Sequence, residues 1–364
     1  MAAGRHNRDC LRRGLPLPSP DFNRARLFKI AFDRRDAVNR LLLPVLVTAC
    51  FAVAAPSRGV EIDPQIPAYK PVDGISGQLK AVGSDTLSKL VTVWSDGFKA
   101  LYPKVTIAIQ SEGSTTAPPA LTEGASQLAT MSRPMTSDEI VAFEKKFGYT
   151  PTAIPVAVDA IAVYVNKDNP IKCLTIPQLD RVFSKTHLYS NGGNVASWGG
   201  VGLSGDWADK SISLFGRNSS SGTHDTFVST VLAHGEFKDE LKEQPTSEDV
   251  VKNVAGDKFA IGYSGIAFSG EGVRAVPLAT SAGSECYDPS WEATRSNKYP
   301  LERFLYIYFN KDPKRPLEPV VEAFVKYIVS RDGQAETIKT GLYPLIPSTR
   351  IYDLHRLGIS TETQ

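Results

Sequence analysis

The chain has 364 residues, and its 41 Lys and Arg against 39 Asp and Glu give a formal net charge of +2 at pH 7. This length suits two ordinary α/β lobes and is too long for one small core. Most of the basic excess precedes Leu41, so the rest of the chain is close to neutral or acidic. This charge distribution argues against a nucleic-acid-binding protein, which would need a basic face.

The N-terminal residues 1–55 indicate a signal or targeting segment. Arginines precede an apolar run over 41–55 that is too short for a stable membrane anchor. The small residues at 52–54 form one cleavage site, whereas 47–50 resembles a bacterial lipobox and would leave Cys50 lipid-modified. Both routes remain open, and both predict a periplasmic or secreted protein.

In the body of the chain, short β-rich runs alternate with helical stretches, which is the pattern of an α/β protein. A helix through 87–98 has apolar residues every three or four positions, with Ser84 or Asp85 as its N-cap. Another helix opens at Thr136, which forms a predicted capping box with Glu139. The other elements predicted in this region are strands at 79–82 and 105–109, a helix at 117–124 and a short strand near Leu128.

Residues 152–166 are rich in Ile, Val and Ala without a helical period, so they predict one long buried strand. We take this strand as a crossing between two lobes, and a hinge-closing protein then needs a second crossing. The predicted first lobe is discontinuous, with residues 76–155 and 269–350, and the second lobe comprises 156–268. The later predicted elements are helices at 176–183, from Ser221, at 300–308 and at 317–330, and strands at 212–215 and 259–268.

Two of the four cysteines, Cys173 and Cys286, lie in the body of the chain. Export favours a disulfide between them, because a metal or redox role would need closer spacing. The sequence therefore predicts one disulfide as a possible cross-link.

The stretch 215–227 is the most specific signal, since it follows a predicted strand and opens a predicted helix. N–H groups at a helix N-terminus lack intrahelical partners and carry partial positive charge, so they can hold an oxyanion. Ser221 and Thr223 add hydroxyl donors, and Gly222 permits close approach to the backbone. Arg217 can supply a bidentate charged contact. The alternative is a serine-rich loop that only caps the helix.

Three earlier strand-to-helix junctions, at 83–87, 113–116 and 131–136, are also rich in hydroxyl side chains. In α/β sheets such junctions gather at the carboxyl ends of the strands, where ligands bind. If they converge from two lobes, they form an anion cage.

These motifs resemble those of the periplasmic phosphate-binding proteins of ABC-type phosphate uptake systems, over residues 79–346. The run 217–223 is similar to that family's Arg-x-Asp-x-Ser-Gly-Thr loop and is the strongest match. The resemblance implies an α/β type II periplasmic binding protein with two lobes, each a sheet flanked by helices, joined by two crossing strands. It also implies a monomer that binds inorganic phosphate and delivers it to a membrane permease, with no cofactor, no metal and no catalytic reaction.

The resemblance also implies which residues bind the phosphate. Thr86, the backbone of Leu87, Ser114, Arg217, Ser221, Gly222 and Thr223 match the family's loops, and the third loop adds Ser132 and Arg133.

Two positions depart from the family's pattern. Ser132 stands where the family often has an acidic residue that accepts the proton of a protonated phosphate, so the exclusion of sulfate stays open. Ser219 stands where an aspartate usually orients the arginine, and Asp225 is one candidate replacement. Arg133 either contacts the ligand or makes a surface salt bridge.

A secreted phosphatase is the first alternative, because Ser221, His224 and Asp225 have the composition of a hydrolytic set. Neighbours this close at a helix start do not form the relay geometry of a catalytic triad. The chain has no Gly-x-Ser-x-Gly elbow, and its histidines lack metal-ligand spacing. A second alternative is a broader oxyanion-binding or adhesion protein on the same fold, with the loop 190–207 as its partner surface.

Overall fold

A computed structural model of the protein describes residues 59–190 and 192–360. The predicted targeting segment 1–55, with its cleavage sites and Cys50, lies outside the described residues. Within the described part of the chain, no helix is both long and apolar enough to cross a membrane.

Eleven strands and ten α-helices make up the described part of the chain. The strands are β1 (Gly77–Gly83), β2 (Val105–Gln110), β3 (Leu128–Met131), β4 (Thr152–Asn166), β5 (Leu174–Thr175), β6 (Ser213–Arg217), β7 (Lys242–Gln244), β8 (Ala260–Gly265), β9 (Val273–Ala275), β10 (Leu278–Ala279) and β11 (Glu302–Phe309). The helices are α1 (Ser88–Leu101), α2 (Ala117–Glu123), α3 (Ser137–Phe147), α4 (Ile176–Phe183), α5 (Gly222–Val231), α6 (Ser247–Gly256), α7 (Trp291–Arg295), α8 (Pro319–Ile328), α9 (Arg331–Lys339) and α10 (Pro347–Arg356).

The long strand β4 joins two parts of the sheet, and the prediction of one long buried strand at 152–166 is confirmed. Its first part pairs with β11, and β3, β1 and β2 follow β11 laterally in the sheet. We call these strands and their helices the first half. Its last part pairs with β8 and β9, and β6 and β7 follow β8 laterally in the sheet. We call these strands, together with β5, β10 and their helices, the second half. A strand buried on both faces explains the run of Ile, Val and Ala.

Each half has its own hydrophobic core. Trp94 and Phe98 of α1 pack with Phe324 of α8 in the first half. In the second half Phe183 packs with Phe227, whose ring stacks on Tyr263 at 3.9 Å between centroids. Because the cores are separate, the segments between them can bend without disrupting either.

The helix predicted at 300–308 is wrong, because this segment is strand β11, antiparallel to both β3 and β4. Its sequence Glu302–Phe309 carries Ile307 and four aromatic residues among eight positions, a composition that favours strands. The last predicted helix is confirmed as α8, and the capping box of Thr136 and Glu139 is present at the start of α3.

The predicted lobe limits, with 76–155 and 269–350 in one lobe and 156–268 in the other, stay a prediction. Strand pairing places β9 beside the end of β4, and β10 beside β5, in the second half. Trp291 and Tyr299 also pack in the second core. By this criterion we propose that the chain returns to the first half at β11.

Cys173 and Cys286 form a disulfide with their Cα atoms 6.1 Å apart. The two cysteines flank the paired strands β5 and β10 and are 113 residues apart in the chain. A cross-link over so long a loop restricts the unfolded chain and so stabilises this edge of the second half.

Asp353 on α10 gives a prediction for the pH dependence of stability. Its carboxylate is fully buried, neither oxygen has a hydrogen-bond partner among the described residues, and burial raises its pKa to about 8. Between about pH 4 and pH 8 the folded protein therefore binds a proton that the unfolded chain has released, so this group lowers stability as pH rises. Asp353→Asn should raise the free energy of unfolding at neutral pH by on the order of 2 kcal/mol, measured by urea denaturation.

The exposed Asp209 supplies the matched control, Asp209→Asn, which should leave the same pH profile unchanged. An Asp353→Asn protein whose stability still falls like that of the unmodified protein between mild acid and neutral pH would contradict this account of Asp353.

Candidate functional site

The N-terminus of α5 lies at the cleft between the two halves, directly after β6. Ser221 is its N-cap, and the Ser221 Oγ accepts a hydrogen bond of 3.1 Å from the Thr223 N–H. Other N–H groups of this first turn have no partner within the helix and point outward along its axis. The helix start predicted here is therefore present, with Ser221, Gly222 and Thr223 all buried.

Hydroxyl groups of the first half face this helix start. A Cβ atom added to Gly222 would lie 2.5 Å from Ser114 Oγ and 2.7 Å from Ser132 Oγ, so only glycine permits this approach. Ser114 Oγ also accepts a bond of 3.0 Å from the Ser132 N–H. The second and third loops of the first half thus meet the start of α5.

The first loop reaches the same place through a single turn of 3-10 helix, Asp85–Leu87. Thr86 Oγ1 lies 3.0 Å from Thr223 Oγ1, and both side chains are buried. The Leu87 N–H donates to Ser84 O at 3.2 Å. Three loops of the first half therefore converge on the fourth loop, which begins α5.

The halves also touch along the rim of the cleft. The Thr115 N–H donates to Ser220 O at 3.2 Å, and the Ser220 hydroxyl donates to Glu112 O at 2.9 Å. Gly113, at φ +124°, has no room for a Cβ, which would lie 2.4 Å from Ser220 O. These contacts describe a closed cleft.

Arg217 at the end of β6 crosses the cleft. Its fully buried guanidinium donates through Nη1 to Asp85 Oδ2 at 2.9 Å and to Ser247 Oγ at 2.6 Å. Burial lowers the pKa of Arg217, and Asp85 opposes that shift. The buried Nε has no hydrogen-bond partner among the described residues, so it is an unpaired donor within the site. Asp85, and neither Ser219 nor Asp225, orients this guanidinium.

Arg133 forms a second ion pair across the cleft. Its Nε donates to Asp225 Oδ2 at 2.7 Å, and its two terminal nitrogens bond both oxygens of Glu139 at 2.8 Å. Burial lowers the pKa of Arg133, but Glu139 and Asp225 outweigh it and raise the pKa overall. Arg133 itself is only 8% exposed, whereas its partner Asp225 keeps a side-chain exposure of 34%, so this is a half-buried pair between the halves and not a surface salt bridge.

Asp159 and Arg303 are charged residues of the cleft that sequence reasoning missed. Arg303 on β11 is paired in register with Asp159 on β4, and its Nε and Nη2 donate to Asp159 Oδ2 at 3.0 and 2.8 Å. Burial raises the pKa of Asp159 despite the neighbouring Arg303, and burial lowers the pKa of Arg303. One signal was available: a carboxylate inside an apolar strand needs a buried partner. The partner's identity depends on strand register, which the sequence does not display.

The side chains of Ser221, His224 and Asp225, which have the composition of a hydrolytic set, are not arranged as a catalytic triad. His224 Nδ1 lies 3.0 Å from Asp225 Oδ1, and Asp225 is already paired with Arg133. The pKa of Asp225 is raised by burial but lowered overall by the hydrogen bonds from His224 and Arg133. The Ser221 hydroxyl serves as the N-cap of α5. Among the described residues, no group of His, Cys, Asp and Glu side chains could hold a metal ion.

Closure of the cleft depends on the absence of a side chain at Gly222. In Gly222→Ala the added methyl would contact Ser114 and Ser132 and hold the halves apart, which should weaken oxyanion binding on the order of tenfold. Calorimetric titration with inorganic phosphate measures this loss.

The matched control is Gly256→Ala at the end of α6, where an added Cβ meets no atom within 4 Å. An unchanged affinity in Gly222→Ala would show that the cleft does not close on α5 as described.

Comparisons with known proteins identify the family of this chain. The PBP superfamily domain matches residues 70–332. The chain is 46% identical over 318 residues to the phosphate-binding protein PstS of Pseudomonas aeruginosa, covering 87% of this chain and 98% of that protein. It is 27% identical to PstS of Staphylococcus epidermidis, over 72% of this chain and 77% of that protein.

The fold is shared with solved structures. An ABC-type phosphate transport receptor from Vibrio cholerae superposes with a TM-score of 0.58 and 21% identity, over 73% of this chain and all of that chain. This likeness confirms the predicted α/β fold of a type II periplasmic binding protein. The chain therefore belongs to the periplasmic-binding-protein superfamily and, within it, to the family of the PstS phosphate-binding proteins of ABC-type uptake systems.

Proposed function

We propose that the protein binds inorganic phosphate in the cleft and delivers it to the membrane permease of an ABC transporter. One observation carries this proposal: hydroxyl groups of the first half converge on the N-terminus of α5 in the second. Hydroxyls and free N–H groups surround a tetrahedral oxyanion with donors from several directions. The names of the PstS relatives support phosphate as that anion.

The residues proposed from the sequence either contact the ligand or close the cleft, and Arg217 does both. The Arg217 guanidinium contributes its buried Nε to the ligand and closes the cleft through Asp85. Arg133, whose nitrogens bond Glu139 and Asp225, acts by closing the cleft. We assign the direct contacts to Thr86, Ser114, Ser132, Ser221, Gly222 and Thr223, and to the Leu87 N–H, which the ligand would share with Ser84 O.

Closure removes water from the site and so strengthens each hydrogen bond to the anion. In the closed form Asp85 and Asp225 each pair with an arginine of the opposite half. Release of phosphate to the permease then requires both ion pairs to separate, which exposes the charges to water. The same contacts that hold the ligand therefore set the barrier to its release.

The protein is proposed to act as a monomer in the periplasm or as a secreted protein, after processing of residues 1–55 or attachment through a lipid on Cys50. Its relatives are named for binding phosphate, which supports a binding protein and not an enzyme. Because the Ser221 side chain caps α5 and has no base beside it in triad geometry among the described residues, we expect no turnover of a chromogenic phosphate ester.

Phosphate affinity should depend on Arg217. Arg217→Ala removes the Nε donor and leaves Asp85 buried without its charged partner, which should weaken phosphate binding at least about 30-fold. Calorimetric titration of phosphate-stripped protein measures the loss, and Arg315→Ala, which removes an exposed ion pair with Asp312, is the control.

Sulfate is titrated in the same experiment, because the third loop has Ser132 where the family resemblance implies an acidic residue that would discriminate against sulfate. Binding of phosphate alone supports an uptake receptor, and binding of both anions supports a broader oxyanion receptor. Binding of neither anion by the unmodified protein would overturn the proposed function.

A further inference from the structure

The buried pair of Asp159 and Arg303 lies where the two halves join. Asp159 is on the strand that runs through both halves, and Arg303 is its registered partner on β11. Their side chains are 0% and 6% exposed. A charge pair this deep is costly to desolvate, and apolar residues of similar volume would stabilise a fold as well. Its presence at the junction therefore calls for a role beyond stability.

The other bonds of Arg303 reach the proposed phosphate site from both sides. Its Nη1 donates to Ser132 O of the third loop at 3.0 Å, and its Nη2 donates to Thr223 Oγ1 at 2.8 Å. Ser132 belongs to the first half and Thr223 to the second, so one guanidinium bridges the halves at the ligand site. Asp159 fixes that guanidinium, and the Ile266 N–H bonds the other carboxylate oxygen at 3.3 Å.

The bond from Arg303 leaves the two hydroxyls of Thr223 and Thr86 with one hydrogen more than they need for each other. Thr223 Oγ1 accepts from a cation and shares a second hydrogen bond with Thr86 Oγ1 at 3.0 Å. The two hydroxyls have two hydrogens, and one of these lies between the two oxygens. The other hydrogen must point to a further acceptor, and the cation at the end of the chain polarises it towards an anion.

We propose that Arg303 is a positioning residue of the phosphate site, held by Asp159, which turns Thr223 and Thr86 into a donor for the ligand and links their position to closure of the hinge. This inference rests on the proposed function and adds two residues to the four loops, Asp159 on the strand β4 that both halves share and Arg303 on β11 of the first half. It also identifies a buried positive charge near the ligand that is not part of any sequence motif.

The test is calorimetric titration of phosphate-stripped protein with inorganic phosphate in mild acid and in mild alkali. Arg303→Met should weaken phosphate binding at least about 30-fold, and more strongly in alkali, where the anion carries the larger charge. Arg303→Lys keeps the charge and should recover most of the affinity. A role confined to folding would alter the thermal midpoint without this pH dependence or this recovery.

Arg303→Met leaves Asp159 buried and unpaired, so the double variant Arg303→Met with Asp159→Asn keeps the test valid if the single variant does not fold. The double variant should fold and still bind phosphate at least about 30-fold more weakly than the unmodified protein. Arg274→Met is the matched control, since Arg274 is another partly buried arginine, bonded to the carbonyl oxygens of Asn169 and Ile171. Its affinity should stay within about twofold of the unmodified protein.

The outcomes separate this inference from the proposed function. A folded double variant with unchanged phosphate affinity overturns the role of Arg303 while phosphate binding by the unmodified protein stands. An equal loss at both pH values, without recovery in Arg303→Lys, overturns the charge-based role. Failure of the unmodified protein to bind phosphate overturns the proposed function and this inference together.

Discussion

The ion pair between Arg217 and Asp85 is the interaction on which the closed cleft depends. The guanidinium comes from the end of a strand in the second half, and the carboxylate comes from the first loop of the first half. Both groups leave water when the halves meet, so neither is stable there without the other. Ser247 bonds both members of the pair, through its hydroxyl and its N–H, and so fixes their geometry.

The pairing of charges decides how the site can attract an anion. Each arginine of the cleft, at 133, 217 and 303, has a carboxylate within hydrogen-bonding distance. The net charge near the ligand is therefore small, and the attraction depends on oriented hydroxyls, the start of α5 and the donors left on the guanidinium groups. Such a site gains its strength from water exclusion, which makes closure part of binding.

The strand β4 connects recognition with the hinge. It carries Asp159 at the point where its pairing changes from β11 to β8, and Ile266 just after β8 bonds the same carboxylate. Asp159 on β4 thus contacts β11 of the first half and Ile266 of the second half. Bending at this point and movement of Arg303 are consequently coupled, because the guanidinium bridges Ser132 and Thr223.

Local signals in the sequence determined the helix start at Ser221 to Thr223, the hydroxyl loops and the long apolar strand, because capping and burial on two faces depend on neighbouring residues. Periodicity alone predicts a helix at 300–308, whereas the aromatic content of this segment favours the strand that the structure has. The partners of Arg217 and Arg303 were decided only by tertiary structure. Strand register and closure bring together residues more than a hundred positions apart, and no spacing in the chain encodes that distance.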